Sequence, residues 1–225
     1  MTFGPYDEPP SGGNGDVVLA LSPLADALPI AWDRYLRNRL RHPYQPWLEA
    51  VLSDPPADWP TVKSFWEHHH YDALVERWLS VVGRERLVVR VAEQDDDGAR
   101  QLGGSQAEVV RRVNVAFHHR EWPVQRYDQV IRRGVVAALL RRPDSAANGR
   151  VVTPAWAVER ANSIATVEAA RIVATGVRVD GDLAVLGQVQ VPQSSPSDDA
   201  RPLSLDAAAD AVVAAVEAVA TTWPQ

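Results

Sequence analysis

DVVLALSP, residues 16–23, decides between a purely helical chain and one that contains a sheet. A short continuous apolar run bounded by a turn signal reads as a strand buried on both faces. Ser22 and Pro23 follow it at once, and serine as a cap with proline at the first helical position opens a helix. That helix should run to about residue 40, with Leu24, Leu28, Ala31, Trp32 and Tyr35 on one side. Pro29 falls inside the pattern and predicts a kink or a broken first turn.

Working outward, RLVVRVAE at 86–93 is a second apolar run of strand length. Strand, helices and strand in succession imply a parallel pair joined by a crossover. Between them the prolines around HPYQPWLEAVLSDPPADWP set off a short helix over 46–53. One long helix is expected over 64–82, its stripe formed by Trp66, His70, Ala73, Leu74, Trp78 and Val81, and Gly83 stands where a C-cap belongs. The expected fold class is therefore α/β: helix-rich, with a small parallel sheet of two or three strands flanked by helices.

Residues 1–15 are rich in proline and glycine and read as a flexible leader; 16–190 form a single domain. QDDDGARQLGGS is a polar loop, and Ser105 with Glu108 predicts a capping box for the helix AEVVRRVNVAFHH. Helices follow over about 124–142 and 154–174, then an extended piece in GVRVDGDLAVL. A linker spans 191–204, and an Ala/Val-rich amphipathic helix closes the chain over 205–222.

Composition narrows the function classes. The 225 residues are 46% hydrophobic and 23% charged, and no apolar run approaches the roughly 20 residues of a membrane span. The N-terminus has neither the basic nor the apolar region of a secretory signal. With no cysteine there are no disulfides or thiolate metal sites, so a cytoplasmic setting is expected. A net charge of -6 argues against general nucleic-acid binding. Lys63 is the one lysine, and it lies in DWPTVKSFW with no glycine beside it, so a phosphate-loop lysine is missing.

The histidine run in SFWEHHHYDALVERW, residues 64–78, invites a metal reading. Successive residues on a helix point about 100° apart, and neither His68 nor His69 has a histidine four residues on, so no metal site is expected. His70 lies on the apolar stripe and reads as a core histidine. His69 shares a side with Phe65, Asp72 and Glu76, which suits either a solvated face or a ring held by a carboxylate at the mouth of a cleft. His118 and His119 end a helix, where cations suit the dipole.

VVLALSPLADALPIAWDRYLRN, FWEHHHYDALVERWLSVVGRERLVVRVAEQ, LGGSQAEVVRRVNVAF and GVRVDGDLAVL, taken in order over about 16–187, resemble actinobacterial sulfotransferase-family proteins. The resemblance implies a P-loop-like fold and transfer of a sulfuryl group from phosphoadenosine phosphosulfate (PAPS) to a hydroxyl or amine of a small acceptor. By the same resemblance, Ser22 occupies the place of a cofactor-binding arginine at the end of a strand. His69 matches the family's histidine in its W..HD pattern, the catalytic candidate, while His70 replaces the acidic residue. The Gly-Thr-Thr loop of the family has no counterpart, which makes this a truncated version of the fold. The alternative is a non-catalytic binding or assembly protein that uses the relic scaffold, with a protein partner or a second copy at the sheet edge.

Overall fold

The computed structural model describes residues 2–5, 7, 15–92, 101–141, 151–191, 208, 211–215 and 219. Four parallel strands form one sheet in the order β1-β2-β3-β4: β1 Thr2–Phe3, β2 Val17–Leu21, β3 Leu87–Val91 and β4 Arg178–Asp180. Val17 pairs with Leu87 and Leu21 with Val91, so the two apolar runs lie side by side in parallel. The expected α/β, helix-rich architecture with a small parallel sheet is what the chain adopts. The segment expected to be a leader holds β1, whose Thr2 and Phe3 pair with Val18 and Leu19. β2 buries Val17, Leu19 and Leu21 but leaves Val18 and Ala20 half-buried, so one of its faces is only partly covered.

The helices are α1 Leu24–Leu36, α2 Tyr44–Leu52, α3 Pro60–His69, α4 Tyr71–Val82, α5 Gly104–His119, α6 Val124–Arg126, α7 Ala137–Arg141 and α8 Ala155–Ala174. A π-helical stretch, Tyr127–Val136, joins α6 to α7, and a 3₁₀ turn, Leu183–Gly187, follows β4. α1 stops earlier than expected. Arg39 takes a left-handed φ of 75°, and the Leu40 N–H reaches back to the Tyr35 carbonyl at 2.9 Å, which closes the helix as a Schellman turn does. The capping box expected at Ser105 and Glu108 does not form; the helix starts two residues earlier, where the Gln106 side chain accepts the N–H of the N-cap Gly103 at 3.0 Å, the return half of such a box alone. Glu108 instead pairs with Arg111 and Arg112.

The chain divides into two compact units. The first holds the described residues of 1–29, 47–98 and 153–195, and so the whole sheet, α3, α4 and α8. Its core contains Leu19, Leu21, Leu87 and Val89 together with Trp47, Phe65, Tyr71 and Trp78. The second holds 30–46, 99–152 and 196–225, including α5 and the helical run from Val124 to Arg141. The expected linker lies almost wholly outside the described residues; of the expected terminal helix, 208, 211–215 and 219 are helical.

The single helix expected over 64–82 is a correction. It breaks at His70, whose backbone (φ -83°, ψ 81°) is non-helical, into α3 and α4. The break shifts the buried stripe. α3 buries Val62, Phe65 and His69, whereas Trp66 is half-buried and His70 exposed. In α4 the buried residues include Tyr71, Leu74, Trp78 and Val82, while Val81 is exposed. The cause is tertiary: the Tyr71 N–H, first of the new helix, donates to Glu168 Oε2 of α8 at 3.2 Å, and the Ala73 N–H donates to Asp72 Oδ1 at 2.8 Å. Carboxylates satisfy two of the donors that every helix start leaves open, at the end where the dipole favours negative charge.

Candidate functional site

His70 stands at that break, and the two carboxylates that start α4 stand around it. Its Nδ1 is 3.3 Å from Asp72 Oδ1, and its Nε2 is 3.8 Å from Glu168 Oε1. One ligand-type atom from each of the three residues lies within 4.8 Å of the others. Arg171, one helical turn beyond Glu168, donates from Nη1 to Asp72 Oδ2 at 2.9 Å. α8 thus supplies both a carboxylate and a cation to the start of α4.

The two acids sit in different electrostatic surroundings. Burial pushes the Glu168 carboxyl up, to about 8; the Tyr71 N–H and Arg171 oppose that rise and the negative Asp72 adds to it. Glu168 is 2% exposed, and its Oε1 has no hydrogen-bond partner. Asp72 is also pushed up by burial, but the hydrogen bonds from Arg171 and the Ala73 N–H, with the charges of His70 and Arg171, hold it below its ordinary value. Adjacent carboxyls driven in opposite directions are the pattern from which acid and base roles are drawn.

His70 opens onto a cavity of about 610 Å³ in the first unit. That size falls within the roughly 300–1,000 Å³ of small-molecule sites. Trp66, Lys63, Arg160 and Arg171 line it with His70, and so do Asp54 and Asp58. The Trp66 indole donates to the Val51 carbonyl at 3.0 Å and meets the His70 ring edge to face, which fixes that wall. Lys63 pairs with Asp58, and that bond pushes its ammonium up. Arg160 donates to the Leu52 carbonyl at 3.4 Å and lies 4.0 Å from Asp54. The three cations have acidic neighbours, yet all three reach one concave surface, which suits an anionic ligand.

The residues singled out from sequence lie off this cavity. His69 is 3% exposed, stacks on Phe65 at 4.3 Å and has its Nδ1 2.8 Å from the Phe65 carbonyl oxygen. His70, read as a core histidine, is thus exposed, and His69, read as on a solvated face or at the mouth of a cleft, is in the core, because the break at His70 moves the stripe by one residue. Ser22 sits at the carboxyl end of β2, half-buried, with its carbonyl accepting the Tyr71 hydroxyl at 2.8 Å. Arg37, just beyond α1, pairs with Asp33 in the second unit. That unit has its own cavity of about 560 Å³, lined by Arg39, Arg41, His118 and His119 among others.

Glu168, Arg171, Arg160 and the use of Lys63 went unread. One signal was available for Glu168: on α8 it falls in step with buried Ala161, Ala165, Ala169 and Ile172, a carboxylate on the apolar face of a helix. Charged residues are seldom fully buried unless paired. Compared with known protein families, curated proteins and solved structures, the chain matches none. No helix among the described residues is long and apolar enough to cross a membrane.

Proposed function

We propose that the protein is a sulfotransferase-family homologue that holds a sulfated or phosphorylated small molecule in the cavity beside His70, with PAPS as donor and a hydroxyl or amine as acceptor. One observation carries this reading: Lys63, Arg160 and Arg171 line a single cavity of ligand size in the unit that contains the parallel sheet. The family resemblance of the four sequence stretches supports the choice of anion. In such a transfer the acceptor oxygen or nitrogen attacks sulfur, the bond from sulfur to the 5′-phosphate oxygen breaks, and the acceptor proton passes to a base. The resemblance assigns that base to His69 and the nucleotide grip to Ser22.

A second reading, a non-catalytic binding protein on the same scaffold, is favoured by the placement of those two residues. His69 is in the core, and Ser22 offers a neutral hydroxyl where a guanidinium would give charge-assisted bonds about twice as strong. In this reading the partner is a small anion, or another chain at the edge beside β1.

Thermal denaturation with millimolar PAPS, its desulfated product or inorganic sulfate tests binding, because a ligand of the folded state raises Tm by mass action. The expected result is a rise that Arg160→Ala and Arg171→Ala weaken. A rise that those variants leave intact and Arg39→Ala abolishes would remove the site from this cavity, and no rise at all would end both small-anion readings. Transfer of labelled sulfate from PAPS to a phenol or amine panel separates the two: binding without transfer selects the binding protein.

A further inference from the structure

We propose that His70, Asp72 and Glu168 form a site for a divalent first-row transition cation, of which zinc is the probe. The idea stands apart from the sulfotransferase reading and requires neither PAPS nor the family. It also departs from the expectation of no metal, which rested on the three consecutive histidines; only one of them takes part here.

The spacing of the three side chains is the first argument. The 3.8 Å between His70 Nε2 and Glu168 Oε1 is too long for a hydrogen bond, and the 3.3 Å between His70 Nδ1 and Asp72 Oδ1 lies beyond a good one. Ligand atoms held about 2.0–2.1 Å from a tetrahedral ion lie about 3.4 Å from each other. The two His70 contacts are made by different ring nitrogens, of which one ion takes one; with a single atom from each residue the donors lie within 4.8 Å of one another, wider than a closed coordination shell. One imidazole and two carboxylates are a donor set that zinc, manganese or iron accepts.

A second observation is independent of the spacing. Glu168 is 98% buried by its 2% exposure, and Oε1, the oxygen nearest His70 Nε2, has no hydrogen-bond partner. A buried carboxylate oxygen without a partner is costly. A cation at the common point would supply the missing interaction. The opposite oxygens are already held, Tyr71 N–H on Glu168 Oε2 and Arg171 on Asp72 Oδ2, and Asp72 Oδ1, beside His70, also accepts the Ala73 N–H. Outer partners of that kind fix the orientation of ligating carboxylates. His70 is half exposed on the cavity, which gives an entry path and leaves coordination positions open to a ligand, as in sites with three protein donors.

Isothermal titration of the full chain with zinc chloride tests the proposal, with cobalt absorption as a second readout of coordination. One ion per chain should bind, and His70→Ala and Glu168→Gln should each weaken binding about tenfold or more. His68→Ala should leave it unchanged, since the His68 ring nitrogen is held 2.7 Å from the Ser64 carbonyl oxygen outside the cluster. His70→Ala decides the matter if the buried variant fails to fold, because His70 is on the surface. Absence of saturable binding overturns the site. So does binding that survives both cluster variants but is lost when His118 and His119 are replaced, which would mark ordinary surface histidines.

Discussion

Each unit contains a cluster of buried polar side chains, and the two differ in how completely they are satisfied. In the second unit Asn114 is 2% exposed, yet its amide donates to the Leu36 carbonyl at 2.8 Å and the Leu40 carbonyl at 2.7 Å. Its oxygen accepts the Tyr127 hydroxyl at 2.7 Å. Burial pushes Tyr127 up to about 12, so it stays neutral over the physiological range. In the first unit, Glu168 is as deeply buried, but one of its oxygens has no hydrogen bond, and its carboxyl is raised from 4.5 to about 8, further than Tyr127 is from its ordinary value. A closed network holds carbonyls at the end of a helix in place; an open one can still exchange a proton or accept a ligand. Burial does not tell the two clusters apart; the closure of their hydrogen bonds does.

The contrast can be broken most directly at Asn114. Asn114→Ala removes the amide donor of the buried Leu40 carbonyl and one of the donors to the Leu36 carbonyl, while the Tyr127 hydroxyl keeps the Leu36 carbonyl at 3.3 Å, and should cost about 2 kcal/mol given 1–3 per orphaned group. Urea denaturation would read this as a lowered midpoint at unchanged slope; a loss below about 1 kcal/mol would mean water replaces the amide.

Glu168→Gln should act in the opposite direction at pH 9, raising stability. The folded carboxyl titrates near 8 and the unfolded one near 4.5, so between these values the native state keeps a proton that the unfolded chain has released. Stability contributed by the protonated acid is full below pH 4.5 and is lost as pH rises through 8. The glutamine variant should match the wild type at pH 4.5 and exceed its Tm at pH 9 in chelator. Parallel pH profiles would show that Glu168 is satisfied after all.

Tyr127→Phe removes one donor from the closed network and should cost about 1 kcal/mol at every pH from 5 to 9, read by the same denaturation. Arg171→Ala is the smallest change, about 0.5 kcal/mol, because the arginine is 61% exposed and screened by solvent. Its effect should be present above pH 4 and vanish as Asp72 protonates at lower pH, since a depressed carboxyl stabilises only while ionised. A larger effect that grows at low salt would place the pair in a drier setting.

Much of the fold was legible because it follows from local chemistry. VVLAL and LVVRV lie next to each other in parallel as the crossover logic required, since apolar runs of strand length separated by helices have few other ways to bury themselves. The helices over 46–53 and 154–174 also fell within a residue or two of their expected positions. The site was less legible. Periodicity gave one helix through His70, because nothing in SFWEHHHYDALVERW itself breaks it; the break comes from Glu168, nearly a hundred residues away. Ser22 and His69 were chosen by resemblance, and the cavity lies elsewhere.

The sequence by itself determined β2 and β3 and their parallel pairing, several of the helices, and the lack of cysteine, all of which depend on residue type and spacing along the chain. Tertiary structure alone decided that the chain splits into two units, that His70 faces the cavity while His69 is buried, and that the buried Glu168 and Asp72 meet His70 behind the cavity wall. The reason is physical: hydrophobic periodicity is fixed by neighbours a turn away, whereas the phase of a helix at a break, and the ionisation of a buried carboxyl, are set by groups that only the folded chain brings together.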